Sequence, residues 1–159
     1  MELKQFVPSE VCLACDVCCR FSEADSVWSP LLTDTDICKI PKQLINKNNK
    51  LRLVPYNDVY LCPCFNPVNN KCGIYNNRPL DCMLYPFLLA KRNNKIFLSF
   101  DLKCPFLQKK QGSPEFKDHV KYLVEFLGQD ELKELIKRNP QIIGDYQEDV
   151  VFLQEIALK

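Results

Sequence analysis

Histidine and glycine are scarce in this 159-residue chain, and each scarcity removes a class of chemistry. The single histidine, His119, leaves no room for a multi-histidine metal site, and with it alone there is no Ser-His-Asp or paired-carboxylate pattern that speaks for hydrolysis. Four glycines supply neither G-x-G-x-x-G nor G-x-x-x-x-G-K-[ST], so no glycine-rich phosphate cradle is present. Surplus charge is also missing. Lys and Arg number 21, Asp and Glu 20, and a net charge of +1 argues against nucleic acid as a partner and against a membrane surface. Long apolar runs are absent, Val150-Val151-Phe152-Leu153 being typical and far short of a membrane span. The opening residues MELKQFVPSE lack a basic stretch followed by an apolar one, so no secretory signal is read and a reducing, cytoplasmic setting is expected.

Cysteine is what the chain has instead. Ten cysteines lie between Cys12 and Cys104, and none follows. In a reducing compartment such thiols remain available for metal; disulfides are the alternative, which the adjacent pair Cys18-Cys19 disfavours on geometric grounds.

The same boundary divides the pattern of the chain. Residues 1–112 are expected to form a small, irregular, cysteine-rich metal-binding region, broken by prolines and by asparagine-rich turns, with no apolar core of its own to staple it. Short helices are expected near 9–20, 33–44 and 79–85, with Thr33 or Asp34 as a cap, and short strands at 51–54 and 58–61. Phe87 to Phe100 reads as a β-hairpin around an asparagine turn. Residues 113–159 read as about three helices that pack on this region, giving an α+β fold in one compact domain. Ser113-Pro114-Glu115 starts the first helix, Asp130 the second, and the third runs from about 141 with Ile142, Ile143, Tyr146, Val150, Leu153 and Ala157 on one face. His119 falls off the apolar stripe and is expected at the surface.

Cys12-x2-Cys15-x2-Cys18-Cys19 is the sharpest motif. Each x2 loop returns the backbone toward a common centre, as in the C-x2-C-x2-C run of ferredoxin-type iron–sulfur proteins, where a later Cys-Pro adds a ligand; Cys62-Pro63 and Cys104-Pro105 offer that partner. Zinc prefers a second Cys-x2-Cys, and Cys62-x-Cys64, Cys72 and Cys82 do not form one. The radical-SAM spacing C-x3-C-x2-C fails at Ser22. Successive residues point in different directions, so Cys18 and Cys19 are expected to serve two neighbouring centres or two irons of one cluster. Cys38 lies outside every motif and is expected to be a small apolar residue.

The first motif, together with Lys71-Cys72-Gly73-Ile74-Tyr75 and Arg78-Pro79-Leu80-Asp81-Cys82-Met83-Leu84-Tyr85-Pro86-Phe87, resembles the CxxCxxCC cysteine-cluster family, candidate zinc- or iron-chelating domains that include a flagellin lysine N-methylase. The resemblance covers roughly residues 12–105. It implies thiol ligands at Cys12, Cys15, Cys18, Cys19, Cys62 or Cys64, Cys72, Cys82 and Cys104, with Met83 standing where the family usually has arginine. These are enough for two four-cysteine sites or one larger cluster. Four thiolates on one site leave it negative, so a nearby cation is needed; Arg78 is the first candidate and Tyr75 a candidate hydrogen-bond donor to sulfur. The reading is an iron–sulfur protein, with a [4Fe-4S] cluster, acting in electron transfer, cluster handling or support of a partner redox enzyme. The alternatives are a zinc-chelating structural module and a metal-dependent enzyme such as a protein lysine methyltransferase component.

Overall fold

Asparagine takes the left-handed turn positions that a glycine-poor chain leaves open. Asn49, Asn57, Asn70, Asn93 and Asn94 all have φ between 50° and 59°, a region asparagine tolerates better than other side chains. Three of the turns so made close antiparallel hairpins. In the computed structural model, which describes residues 3–158, these hairpins belong to two units: Pro8–Met83, and the chain from Leu84 onward together with the residues up to Val7.

The first unit begins with α1 (Ser9–Ala14), which has no buried residue and no side-chain cap. A single 3-10 turn over Val17–Cys19 leads into β1 (Arg20–Phe21). The helix α2 (Asp34–Ile37) is short but firmly capped. The Thr33 hydroxyl accepts from the Asp36 N–H, and the Asp36 carboxylate accepts from the Thr33 N–H at 2.9 Å. Strands β2 (Val54–Tyr56) and β3 (Val59–Leu61) form a hairpin, and β1 adds to β3 with Arg20 opposite Leu61, giving the order β1-β3-β2. A second hairpin pairs β4 (Phe65–Asn66) with β5 (Lys71–Cys72), and α3 (Leu80–Leu84) follows the Arg78-Pro79 turn.

This unit has an apolar core, contrary to the sequence expectation. Phe21, Leu32, Ile40, Leu51, Leu53, Leu61 and Phe65 are buried together with Cys62, and Cys19 and Cys64 pack against them. The residues come from separate short segments, so no periodicity announces them.

The second unit is built on the expected hairpin. β6 (Phe87–Arg92) and β7 (Lys95–Asp101) pair antiparallel around Asn93-Asn94, Phe87 opposite Phe100. Three helices follow, α4 (Pro105–Lys110), α5 (Pro114–Leu127) and α6 (Asp130–Arg138), and then two strands, β8 (Ile143–Gly144) and β9 (Val150–Glu155). The sheet order is β8-β6-β7-β9. The expected third helix is therefore not there. Val150-Val151-Phe152-Leu153 is β-branched and aromatic, and it satisfies the open edge of β7, with Phe97 edge-on to Phe152.

His119 is likewise not a surface residue. It is buried on α5 among the rings of Phe6, Phe87 and Tyr122, whose centroids lie 5.1 to 5.4 Å away. The buried stripe of α5 is Phe116, His119, Leu123, Phe126 and Leu127, and the aromatic cluster takes the imidazole into it. Among the described residues no helix is long and apolar enough to cross a membrane.

Candidate metal centre

Backbone hydrogen bonds, rather than thiol chemistry, first bring the cysteines of Pro8–Met83 together. Cys12 sits on α1, and the Cys15 N–H that ends the helix donates to the Cys12 carbonyl at 3.1 Å. The Val17–Cys19 turn carries Cys18 and Cys19 to β1, where the Cys62 N–H donates to the Cys19 carbonyl at 3.0 Å. Cys62 and Cys64 bracket Pro63, and the Gly73 N–H donates to the Cys64 carbonyl at 2.8 Å, which fixes Cys72 beside them on β5. Helix α1 packs against β5, and α3 carries Cys82.

The result is a continuous neighbourhood of eight thiols: Cys12, Cys15, Cys18, Cys19, Cys62, Cys64, Cys72 and Cys82. None of the ten cysteines is in a disulfide. The sulfurs of Cys18 and Cys19 are 4.0 Å apart, brought round by the tight 3-10 turn. Both Cys62 and Cys64 take part, where the sequence left a choice. Burial pushes the Cys12, Cys72 and Cys82 thiols above their ordinary range, and Cys18 pushes all three further. The hydrogen bond with Cys18 raises Cys19, and that with Cys64 raises Cys62 while lowering Cys64. Among the described residues no three such side chains yet share one coordinating point. The donor set nonetheless fits a thiophilic cation: crowded thiols oppose one another's ionisation, and a metal ion relieves that opposition by taking them as thiolates.

Arg78 and Tyr75 stand beside Cys12. The guanidinium carbon lies 3.7 Å from the Tyr75 ring centroid, and Nη1 reaches the Cys12 sulfur at 4.0 Å. Its charge favours the thiolates of Cys12, Cys72 and Cys82. The buried Tyr75 hydroxyl lies on the Cys12 side, where it favours the Cys12 thiolate. The Asp81 carboxylate accepts the Leu31 N–H at 3.0 Å. Arg20, next to Cys19 in sequence, has partners of its own. It is bound to Asp16 and lies over Phe65, a pairing that the i,i+4 spacing signals. A cavity of about 380 Å³ is lined by Lys39, Ile40, Pro41, Leu44, Ile74, Asn77 and Cys64.

Two cysteines have different settings. Cys104 is buried at the N-cap of α4, in the unit of the second sheet. Cys38 ends α2 and is exposed, so it is not the packed thiol expected.

Comparison with known proteins follows the same segment. The CxxCxxCC family, described as a candidate zinc- or iron-chelating domain, matches residues 11–105. The uncharacterized protein MJ0661 of Methanocaldococcus jannaschii is 28% identical over 102 residues, covering 57% of this chain and 52% of the relative. The chain thus spans about half the length of the curated relative it matches. No solved structure matches. With its cysteine run, its second cysteine block and the family match over 11–105, more than half its length, the chain belongs to the CxxCxxCC family of zinc- or iron-chelating domains.

Proposed function

We propose that the cysteines of Pro8–Met83 hold an iron–sulfur cluster, and that the protein serves electron transfer, cluster handling or a partner redox enzyme in a reducing compartment such as the cytoplasm. The observation that carries this is the eight-thiol neighbourhood, twice the number one tetrahedral zinc ion takes. Cys12, Cys15, Cys18, Cys19, Cys62, Cys64, Cys72 and Cys82 would supply the thiolates, enough for two four-cysteine sites or a larger cluster. Cys104 is the ninth candidate, carried by the family pattern. A bound cluster would supply one-electron chemistry. The chain's own part is to gather the thiols, shield them with Phe21, Phe65 and Leu61, and set a cation and a phenol beside Cys12.

The partner is a protein that donates or accepts electrons or clusters. A near-neutral chain argues for a protein surface over nucleic acid or lipid. Anaerobic purification tests the reading. Iron with acid-labile sulfide and broad visible absorption is the expected result. A colourless protein with zinc in place of iron would overturn it and leave a zinc-chelating structural module.

A further inference from the structure

Charge is spread unevenly along this chain, although its total is close to zero. Residues 37–80 hold seven lysines and arginines and one acid, Asp58, a net +6 that the rest of the chain offsets with −5. Two of the seven are engaged inside the first unit: Lys50 lies 3.8 Å from the Asp25 carboxylate, and Arg78 is stacked on Tyr75. Lys39, Lys42 and Arg52 are exposed instead, and among the described residues none of the three forms an ion pair. The fold gathers them. Lys42 opens the 3-10 turn Lys42–Leu44; the Arg52 N–H donates to the Leu44 carbonyl at 2.8 Å, and its guanidinium to the Ile45 carbonyl at 3.2 Å. Lys39 and Leu44 both line the cavity of about 380 Å³. Cations held close together without acids repel one another and project a positive potential, which an anionic partner relieves.

The cavity decides what kind of anion fits. Its walls are largely aliphatic, from Ile40, Pro41, Leu44 and Ile74, and it has room for one bulky apolar side chain, the kind of buried anchor that dominates a protein interface. Its lining holds no aromatic ring on which a nucleic-acid base would stack, and a layer of lipid headgroups presents no apolar knob to fill it. We infer that this face is a docking site for an acidic segment of a partner protein, with Lys39, Lys42 and Arg52 meeting its carboxylates and the cavity taking one apolar side chain. The inference rests on the proposed thiolate centre and deepens it. Cys64 lines the same cavity, so a partner seated there lies against the thiols that would pass it electrons or a cluster.

The probe is a fluorescein-labelled peptide of glutamates around one central tryptophan, titrated by anisotropy against the full-length, anaerobically purified protein. Binding that weakens as salt rises is expected. Replacing the tryptophan by glycine, or the glutamates by glutamine, should weaken it. The double variant Lys39→Gln/Lys42→Gln should bind about tenfold more weakly, the loss that two exposed charge contacts imply. Lys109→Gln/Lys110→Gln removes the same charge from exposed positions of α4 and should bind as the wild type does. Asn77→Trp, at an exposed position in the cavity lining, should erase the preference for the tryptophan peptide over the glycine one. No binding of the acidic peptide overturns the inference, as does equal weakening in the two lysine pairs, which would mark a response to net charge alone. Tighter binding of labelled oligothymidylate, or flotation with phosphatidylserine vesicles lost in Lys39→Gln/Lys42→Gln, overturns the choice of a protein partner. Metal and acid-labile sulfide counted on the same samples judge the centre separately: a zinc-loaded protein that still binds the peptide as described overturns the iron–sulfur reading and upholds the docking face.

Discussion

His119 shows what a single buried titratable side chain costs. Burial among Phe6, Phe87 and Tyr122, with the Lys4 charge nearby, lowers its pKa to about 4 from the ordinary value of 6.5. Between those values the unfolded chain binds a proton that the folded chain refuses. Stability is therefore full above about pH 6.5 and is lost as the pH falls toward 4. From about pH 7 to pH 5 the loss is on the order of 2 kcal/mol for this one group. Denaturant unfolding at the two pH values, compared between wild type and His119→Phe, measures it. The variant should lose clearly less stability on acidification; identical losses would place the imidazole in contact with water. Nothing in the sequence marked His119 as buried, because its neighbours Phe6 and Phe87 are distant in the chain and no local pattern encodes their meeting.

Short elements in this protein fall into those held by their own bonds and those that need an outside tie. Helix α2 is the first kind. The Thr33 hydroxyl donates to the Asp36 carboxylate at 2.7 Å, and the same carboxylate accepts the Leu80 N–H at 3.4 Å, tying α2 to α3. Thr33→Ala breaks the capping box in a fully buried setting and should cost about 2 kcal/mol, read from the denaturation midpoint. Helix α1 is the second kind. Six uncapped residues with no buried side chain cannot hold a helix in water, yet α1 carries Cys12 and ends at Cys15. Metal bound by these thiols should hold it. Hydrogen exchange over residues 9–19 is expected to become fast on chelation, while β6 and β7 stay protected; slow exchange over α1 in metal-free protein would contradict this. Cap and hairpin were legible in the sequence, since Thr33-x-x-Asp36 and Asn93-Asn94 are local signals. The strand at Val150–Glu155 was not. Its apolar residues also fit a 3.6-residue period, and only the open edge of β7, fifty residues earlier, decides between the two.

On the scale of the whole chain, the family segment and the contact pattern do not share a border. Residues 11–105 match the family, whereas the first unit ends at Met83 and the β6–β7 hairpin joins the helical unit. The first unit has an apolar core around Leu32, Leu51 and Leu61, so metal adds to a folded framework instead of replacing one. The grouping of thiols was legible from Cys12-x2-Cys15-x2-Cys18-Cys19, because x2 loops act locally. That both Cys62 and Cys64 join the group was not, because it depends on the β1–β3 pairing that docks Cys62 on Cys19. The central claim is that the eight thiols of Pro8–Met83 hold more than one metal ion, in two four-cysteine sites or one larger cluster. Native mass spectrometry of the anaerobically purified chain, beside Cys18→Ser, Cys19→Ser, Cys82→Ser and Cys38→Ser, tests it most directly. The account predicts bound mass exceeding one metal ion, reduced by each of the first three substitutions and unchanged by Cys38→Ser. A chain at its bare polypeptide mass, or equal loss from Cys38→Ser, would contradict it.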